Sequence, residues 1–270
     1  MDKVADIIAE ASAEAVEPRF RALASGEVME KAPGEVVTIA DREAELIIAR
    51  RLRELLPVPV VGEEAVAADP ALARALHTEP AVWLVDPVDG TANFVAGRPD
   101  YAVMVSLVRD GRTVAAWIRQ PATATTYTAE LGSGAWRDGH RLTRAPAGTD
   151  PAAWRGSVKS RFLDPSRRRL IEANAEAFGG LTAGRHAAGI EYPDVAEGGT
   201  DFILYWRTLP WDHAPGSLLV AESGGRAARL DGSPYRPEAP GGEDGLLVAA
   251  DPATWERCRE ILFANQTAPR

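Results

Sequence analysis

A buried strand that leads directly into two aspartates is the feature that most restricts how this chain can fold. Residues Ala81 to Val85 are all apolar, and they continue into the segment DPVDGTANF. A short apolar run of this kind, bounded by a turn signal, predicts a strand in the core. Pro87 favours an extended backbone at Asp86, and Gly90 permits a sharp turn. We therefore expect Asp86 and Asp89 to converge where this strand leaves the core.

Asp86 and Asp89 need a positive partner, because a buried, ionised carboxylate is costly unless a cation compensates it. A divalent cation meets this need, and the carbonyl oxygen of Val88 is expected to point inward at the same turn. Ligation by oxygen atoms alone favours magnesium over zinc. The amides of Gly90 and Thr91 follow and are predicted to cradle a phosphate. The alternative is an aspartate-capped turn without metal chemistry.

Three further acids stand at the predicted ends or starts of secondary-structure elements. Glu63 and Glu64 come directly after a short predicted strand, Val58 to Val61, and open sheets bind ligands beyond such strand ends. Asp212 lies in LPWDHAPG, where another helix is predicted. The alternatives are a solvated helix start for the two glutamates and an N-cap for Asp212. His213 points about 100° away from its neighbour on a helix, and we interpret it as structural rather than as a base.

The remaining pattern predicts an α/β fold. Helical spacing predicts an N-terminal helix that ends or bends near Pro18, a terminal helix beginning near Pro252, and helices over 40–56, 166–178 and 212–223. From Tyr101 to Trp136, β-rich runs separated by turns predict an antiparallel meander. Strands are predicted at DFILYW and GLLVAA, and a surface loop at 232–245. We expect an α+β half, residues 1–144, with most of the acids, and an α/β half, residues 145–270, that completes the site.

Charge and cysteine content limit the partners and the compartment. The formal net charge is −9, which opposes nucleic-acid binding, because such binding depends on clustered basic residues that neutralise phosphates. Cys258 is the one cysteine of the sequence, so no internal disulfide can form, and a cytoplasmic location is expected. The sequence shows neither a signal peptide nor an apolar run of about 18 residues, and no membrane span is expected.

Three segments in this order resemble the signatures of the inositol monophosphatase family: GEE at 62–64, DPVDGTANF at 86–94 and WDHAPG at 211–216. VVTIAD at 36–41 is similar to the family's VTxxD. The resemblance extends from the first helix to about residue 260. It implies a lithium-sensitive, magnesium-dependent phosphatase that acts on a small phosphorylated metabolite. It also implies a layered αβαβα sandwich, commonly assembled as a homodimer.

The resemblance assigns a role to each matched acid. Glu63, Asp86 and the Val88 carbonyl are implied to hold one Mg²⁺ ion. Asp86 is implied to share a second ion with Asp89 and Asp212, and a third, weaker ion is implied near Glu63. Two ions about 4 Å apart can stabilise both the entering and the leaving oxygen in a phosphoryl transfer. The resemblance therefore predicts two or three Mg²⁺ ions and no covalent phosphoenzyme.

The resemblance also implies which residues act on water and substrate. Thr91, paired with Asp41, is expected to orient and deprotonate the attacking water, and Glu63 is assigned to the catalytic set as well as to the metal. The residues expected to contact the substrate are Asp89, Gly90, Thr91, Gly189, Tyr205, Arg207 and Asp212.

Tyr205 stands seven residues before Asp212, where the family has a glutamate that accepts hydrogen bonds from inositol hydroxyls. A phenol brings no negative charge, and we therefore expect inositol monophosphate not to be the best substrate. Arg207 is predicted to attract a second anionic group, a phosphate or a carboxylate. The alternative is that Tyr205 only finishes a strand and Arg207 faces solvent. Residues 185–189 are predicted to form the neighbouring wall, although Ile190 replaces the usual small hydroxyl residue.

Several alternatives remain open from the sequence. Substrates other than inositol phosphates include a sugar bisphosphate, histidinol phosphate and phosphoadenosine phosphate. A catalytically silent regulatory or binding protein on the same fold is another alternative, although the retained acids argue against it. A nucleotide-dependent dehydrogenase or kinase is disfavoured, because Gly132-Ser133-Gly134 lacks the third glycine of a dinucleotide fingerprint and no GxxxxGK[ST] loop occurs.

Overall fold

The computed structural model describes residues 1–32, 34–237 and 245–264. The helices in this part of the chain are α1 (Asp2–Ala11), α2 (Ile39–Leu55), α3 (Glu63–Ala68), α4 (Ala75–Thr78), α5 (Thr91–Val95), α6 (Pro165–Asn174), α7 (Ala188–Glu197), α8 (Pro210–Ser223) and α9 (Pro252–Leu262). A π-helical turn, Ser12–Val16, extends α1. None of these helices is long and apolar enough to cross a lipid bilayer.

The strands fall into a hairpin and two larger sheets. The hairpin consists of β1 (Val28–Ala32) and β2 (Glu35–Thr38). The first large sheet contains β3 (Val60–Gly62), β4 (Ala81–Asp89), β5 (Ala102–Arg109), β6 (Arg112–Gln120), β7 (Thr125–Glu130), β8 (Gly134–Arg137) and β9 (His140–Leu142). The second contains β10 (Arg155–Val158), β11 (Gly180–Thr182), β12 (Phe202–Tyr205), β13 (Arg226–Arg229) and β14 (Leu246–Ala249).

The seven-stranded sheet runs in sequence order from β3 to β9. β3 is parallel to β4, and the other neighbours are antiparallel. The predicted meander is confirmed. Its tight turns at Asp110-Gly111 and Asp138-Gly139 have positive φ at both residues, as type I′ hairpin turns require.

The five-stranded sheet has the order β11-β10-β12-β14-β13. β10 is parallel to β11 and β12, and β14 is antiparallel to β12 and β13. Residues alternate between its faces along β12. Ile203 and Tyr205 pack into the central core, whereas Phe202 and Leu204 pack into an outer one.

Helices and sheets form five layers. α1 and α2 cover one face of the seven-stranded sheet, where Ile8, Ile48 and Leu52 pack with Trp83 and Trp117. α7 and α8 lie between the two sheets, and α6 and α9 cover the outer face of the second sheet. The predicted αβαβα sandwich is confirmed. The site residues lie where the two sheets and the central helices meet.

Several element boundaries differ from the sequence prediction. α2 begins at Ile39, because the side chain of Thr38 caps it. β3 begins two residues later than predicted, at Val60, and α6 ends at Asn174. The alternative interpretation of Asp212 as an N-cap is wrong, since Leu209 is the N-cap of α8 and Asp212 lies in its first turn. Most of the loop predicted at 232–245, residues 238–244, lies outside the described residues.

Candidate active site

The end of β4 presents the two aspartates of the DPVDG segment. Pairing with β5 is irregular between Asp86 and Asp89, and Asp86 Oδ1 accepts a hydrogen bond from the Val88 amide at 3.0 Å. Gly90 has φ +83° and starts α5. A Cβ atom at Gly90 would lie 2.8 Å from the Asp100 carbonyl oxygen, so the turn requires glycine both for its dihedral angle and for space.

Two other elements bring acids to the same place. In the parallel pair of β3 and β4, Gly62 lies opposite Val85, so Glu63 leaves β3 beside Asp86. Asp212 comes from the first turn of α8. Carboxylate oxygens of Glu63, Asp86 and Asp212 all lie within 4.8 Å of one another. The structure therefore brings these three predicted ligands together.

Asp89 and Val88 line the same pocket as this cluster. Asp89 is buried, and its Oδ2 accepts a hydrogen bond from the Gly189 amide at 2.7 Å. Because Gly189 lies in the first turn of α7, this hydrogen bond also satisfies one of the free amides at the start of that helix. The contact anchors one carboxylate oxygen of Asp89 at the start of α7.

The cluster carries more negative charge than its surroundings compensate. Burial, together with the charges of neighbouring acids, raises the pKa values of Asp86 and Asp212 well above their ordinary value. Burial also raises the pKa of Asp89 to about 7, although the Gly189 and Ala188 amides oppose this effect. Such a set of buried oxygen ligands fits a hard divalent cation such as Mg²⁺.

A lysine that the sequence analysis missed supplies part of the compensation. Lys31 on β1 lies 2.5 Å from Glu63 and 2.7 Å from Glu64. Burial alone would lower its pKa, but the two glutamates hold that pKa above its ordinary value. The local sequence around Lys31 gives no signal for this contact, because the β1–β2 hairpin brings the ammonium to the site from a distant part of the chain.

Thr91 and Asp41 form the contact that the resemblance implies. Thr91 Oγ1 lies 3.0 Å from Asp41 Oδ1 and 2.9 Å from the Val88 carbonyl oxygen. The other oxygen of Asp41 accepts hydrogen bonds from the amide and the hydroxyl of Thr38 in a capping box. Burial raises the pKa of Asp41 to about 6. The hydroxyl is thus held beside the acids, and its role in activating water stays a prediction.

A cavity of about 530 Å³ extends from the acids toward the second sheet. Asp89, Asp212, Arg207 and His186 line both this cavity and the pocket that contains the cluster. The far side of the cavity is formed by β10, by residues 159–162 and by Arg168. We call this far side the basic wall, and define it by Lys159, Arg161 and Arg168.

Tyr205 brings no negative charge itself, but it contacts a carboxylate that the sequence analysis missed. The Tyr205 hydroxyl donates to Glu191 Oε2 at 3.0 Å, and Glu191 is buried on α7. Lys159 forms an ion pair with Glu191, and the amides of Arg185 and His186 donate to the same carboxylate. A carboxylate therefore lies beside Tyr205, but its charge is compensated.

Arg207 does not simply face solvent. It forms an ion pair with Glu35 at 2.5 Å, and its guanidinium lies 4.4 Å from the ring centre of Phe162. The positive charge of Arg207 is therefore partly compensated by Glu35. Residues 186–188 line the cavity, whereas Gly189 and Ile190 do not. The predicted wall thus ends just before Gly189, whose amide serves Asp89 instead; a direct contact of Gly189 with substrate stays a prediction.

His213 is a structural histidine, as predicted. Its ring contacts the Tyr192 hydroxyl through Nδ1 at 2.9 Å and the Arg207 carbonyl through Nε2 at 3.2 Å. Burial lowers its pKa to about 3, so the ring is neutral at physiological pH. Cys258 is buried in the outer core, and burial raises the pKa of its thiol, which disfavours the reactive thiolate.

Comparison with known proteins adds independent information. Residues 1–264 match the model of the inositol monophosphatase family. Inositol-1-monophosphatase of Rhizobium meliloti is 32% identical over 86% of this chain and 84% of its own length. Fructose-1,6-bisphosphatase/inositol-1-monophosphatase of Thermotoga maritima is 30% identical over 73% of each chain. A protein of Neisseria meningitidis named putative Nus factor SuhB is 30% identical over 87% of each.

Solved structures share the fold. The extragenic suppressor protein SuhB of Bartonella henselae superposes with a TM-score of 0.81 at 24% identity, over 97% of this chain and 99% of that one. The Thermotoga maritima IMPase TM1415 superposes with a TM-score of 0.78 at 24% identity, over 97% of each chain.

Proposed function

Because this chain belongs to the inositol monophosphatase family, we propose that it hydrolyses a small phosphate monoester with Mg²⁺ held by Glu63, Asp86 and Asp212. The observation that carries the proposal is the convergence of these three carboxylates within 4.8 Å. Asp89 and the Val88 carbonyl complete the proposed ligand set, which holds two or three ions. When bound, the ions supply positive charge that polarises the phosphoryl oxygens and acidifies water.

The residues of the chain then position the reactants. Thr91 holds the attacking water in line with the phosphorus atom, and Asp41, which contacts the Thr91 hydroxyl at 3.0 Å, accepts the proton through it. The amides of Gly90 and Thr91 bind the phosphate oxygens. Asp89 and Asp212, which line both the acidic pocket and the cavity, contact the substrate near its ester oxygen. No side chain is needed as a covalent nucleophile.

The test is phosphate release from p-nitrophenyl phosphate by the purified protein, with Mg²⁺ and with excess chelator. We expect hydrolysis that Mg²⁺ restores after chelation. Hydrolysis at the same rate in chelator would contradict the metal assignment, and the absence of hydrolysis with Mg²⁺ for every phosphate monoester tested would contradict the proposed activity.

Lithium inhibition is part of the proposal. The second ion site, which Asp212 helps to form, is expected to accept Li⁺ after hydrolysis. A lithium titration at saturating substrate is expected to give inhibition in the millimolar range, since the monovalent ion competes with Mg²⁺ for an all-oxygen site. A rate that is indifferent to lithium would remove this protein from the lithium-sensitive members of the family.

The substrate is expected not to be inositol monophosphate. The observation that supports this is the Tyr205–Glu191 contact at 3.0 Å, which occupies one oxygen of the carboxylate nearest to the cavity. Because the Tyr205 hydroxyl and the Glu191 carboxylate already form a hydrogen bond with each other, fewer of their polar atoms are free to bind sugar hydroxyls. Sugar hydroxyls without a partner lower the preference of the site for that sugar. Catalytic efficiencies measured across inositol phosphates, sugar phosphates, histidinol phosphate and phosphoadenosine phosphate test this. A clear lead for inositol 1-phosphate would contradict it.

A second candidate function is regulatory, and the relative named putative Nus factor SuhB favours it. Retention of the carboxylate cluster within 4.8 Å argues for catalysis. The phosphate-release assay separates the two candidates, since a purely regulatory protein releases no phosphate.

The proposal also includes a homodimer in the cytoplasm that does not bind nucleic acid. Within each chain, residues 1–144 carry most ligands and residues 145–270 complete the site with Asp212. Sedimentation velocity tests the dimer.

A further inference from the structure

Two arginines of the basic wall have spare binding capacity. Arg161 and Arg168 both line the cavity, and neither forms an ion pair with a carboxylate in the part of the chain that the structure describes. One Nη of Arg168 donates to the Ser160 carbonyl at 2.8 Å, and the Arg161 guanidinium lies 5.3 Å from the ring centre of Phe162. Arg161 lies near enough to Glu35 for its charge to help lower the pKa of that carboxyl, but the two form no hydrogen bond. Several N–H groups of each guanidinium thus remain available for an anion.

The other cations around the cavity are already paired. Lys159 is held by Glu191, and Arg207 is held by Glu35. On α6, the neighbouring Arg167 pairs with Asp164 and does not line the cavity. Among the lysines and arginines that line the cavity, Arg161 and Arg168 are therefore the two without an ion pair in the described part of the chain. The formal net charge of the whole chain is −9.

We propose that Arg161 and Arg168 bind a second anionic group of the substrate, which is then a phosphate monoester that also carries a phosphate or a carboxylate. This inference rests on the proposed function, since Asp89 and Asp212 at the acidic end of the same cavity mark where the ester reacts. Guanidinium groups bind both anions through paired N–H donors. The proposal moves the anion site from Arg207, the residue that the sequence suggested, to Arg161, whose guanidinium contacts the same Phe162 ring as Arg207, and to Arg168.

The test compares matched substrates. Catalytic efficiency is measured for fructose 1,6-bisphosphate against both fructose 1-phosphate and fructose 6-phosphate, so that the ester that reacts is present in a control, and for 3-phosphoglycerate against glycerol 3-phosphate. We expect the wild type to prefer the member with the extra anion by at least about tenfold in one pair, as a charge-assisted contact allows. The pair that shows the preference tells whether the anion is a phosphate or a carboxylate.

In Arg161→Gln/Arg168→Gln, the preference is expected to fall to about threefold or less, mainly through KM, because the charged contacts are lost. The control is Arg169→Gln, on the same helix, where the side chain donates to the Pro165 carbonyl and lies outside the cavity. Absence of a preference in the wild type, or an unchanged preference in the double variant, would overturn the inference. Absence of hydrolysis with Mg²⁺ for every phosphate monoester tested would instead overturn the proposed function.

A separate observation concerns Glu45, a buried residue of α2. Its Oε2 accepts a hydrogen bond from the Glu64 amide at 2.8 Å, and its Oε1 accepts one from the Ala65 amide at 2.9 Å. These amides begin α3, whose N-cap Gly62 has no side chain to offer. A Cβ atom at Gly62 would overlap the Glu45 carboxylate. Glu45, on α2, thus accepts the hydrogen bonds of the first α3 amides, which an N-cap side chain would otherwise accept.

The geometry points to Glu45 as a positioning residue for Glu63. Because Glu63 is the first residue of α3, the two hydrogen bonds that fix the start of this helix also fix the direction in which Glu63 extends toward Asp86. Glu45 itself is absent from the groups that line the acidic pocket, so it acts through the backbone rather than by ligation.

Glu45→Gln tests this, since an amide cannot accept both hydrogen bonds. Calorimetric titration of the purified protein with Mg²⁺ alone is expected to show affinity reduced at least about threefold, on the scale of outer-shell substitutions at metal sites. The Mg²⁺ concentration for half-maximal activity is expected to rise by a similar factor, while the substrate KM at saturating Mg²⁺ stays unchanged. Gly62→Ala is expected to give the same pattern, because it displaces the same carboxylate.

Glu43→Gln is the matched control, since Glu43 lies on the same helix and pairs with Arg19 near the surface. A circular dichroism melt reports whether each variant is folded. If either folded variant, Glu45→Gln or Gly62→Ala, binds Mg²⁺ as tightly as the wild type, the positioning role is overturned and Glu45 has only a structural role.

Discussion

The two ends of the cavity differ in how their charges are balanced. At the acidic end, Glu63, Asp86 and Asp212 lie within 4.8 Å of one another, and Lys31 is the cation that contacts this cluster among the described residues. At the other end, Lys159 and Glu191 compensate each other. The acidic end therefore requires added cations. In the basic wall only Lys159 is compensated, and Arg161 and Arg168 form no ion pair among the described residues. In our proposal, the first end holds the metal ions and the second binds a further anionic group of the substrate.

The largest expected effect on turnover comes from removing a metal ligand at the acidic end. Asp89→Asn is expected to lower turnover at least about 100-fold, or 2.7 kcal/mol, because a neutral amide is a poor ligand for a divalent cation. The fold is expected to survive, since the amide oxygen can still accept the Gly189 hydrogen bond.

Turnover and thermal melting of Asp89→Asn are measured beside Asp231→Asn, which changes an exposed carboxylate elsewhere. Full activity of Asp89→Asn would contradict the assignment of Asp89 as a ligand.

Thr91→Ala is expected to lower turnover by about 100-fold, the scale of a lost proton-transfer group, with little change in Mg²⁺ affinity. Thr91→Ser keeps the hydroxyl that contacts Asp41, and it is expected to retain activity within about tenfold of the wild type. Single-turnover kinetics at saturating Mg²⁺ compare the two variants. Equal rates for the alanine and serine variants would show that the hydroxyl has no catalytic role.

At the other end of the cavity, Glu191→Gln is expected to destabilise the fold by about 2 kcal/mol, because it leaves Lys159 half-buried without a counter-charge. Urea unfolding measures the change. Adding Lys159→Gln is expected to recover part of the loss, and strictly additive losses in the double variant would show that the ion pair contributes no coupling energy.

The smallest effect concerns pH. The pKa of His213 is about 3 in the folded protein, below the ordinary value of about 6.5. Between about pH 3 and 6.5, His213 binds a proton in the unfolded chain but not in the folded one. The contribution of His213 to the free energy of unfolding is therefore complete above about pH 6.5 and falls as the pH drops below that value. The expected slope is about 1.4 kcal/mol per pH unit.

Raised pKa values at Asp41, Glu45 and Asp89 give slopes of the opposite sign. The measurement is therefore the difference in slope between the wild type and His213→Gln in metal-free buffer between pH 5 and 6. Identical slopes would mean that His213 is protonated in the folded state.

The acidic end was predictable from the sequence, because strand register determines it. Asp86 follows a recognisable buried strand, and Glu63 follows its parallel neighbour, so both had to appear at one sheet edge. The periodic signals predicted the α+β and α/β halves, and the family resemblance implied their layered arrangement.

The basic wall was not predictable in the same way. Glu191 lies in the first turn of α7, where an acid is usually exposed to solvent. Its contact with Tyr205 of β12 depends on the tertiary packing of the two elements, which local sequence does not report. Lys159 precedes a single 3₁₀ turn, Ser160–Phe162, that contains Arg161, and so short a turn has no periodicity from which side-chain direction could be predicted. Glu45 contacts the start of α3 across nineteen residues, a contact that helical spacing within α2 cannot reveal.

The central claim is that the carboxylate cluster binds divalent cations, and calorimetric titration with Mg²⁺ tests it most directly. The wild-type protein, freed of metal, is predicted to bind at least one Mg²⁺ ion per chain, and Asp86→Asn is predicted to bind it at least about tenfold more weakly, since it removes the ligand that the two proposed ions share. Equal Mg²⁺ affinity in the two proteins, or no binding by the wild type, would contradict the account.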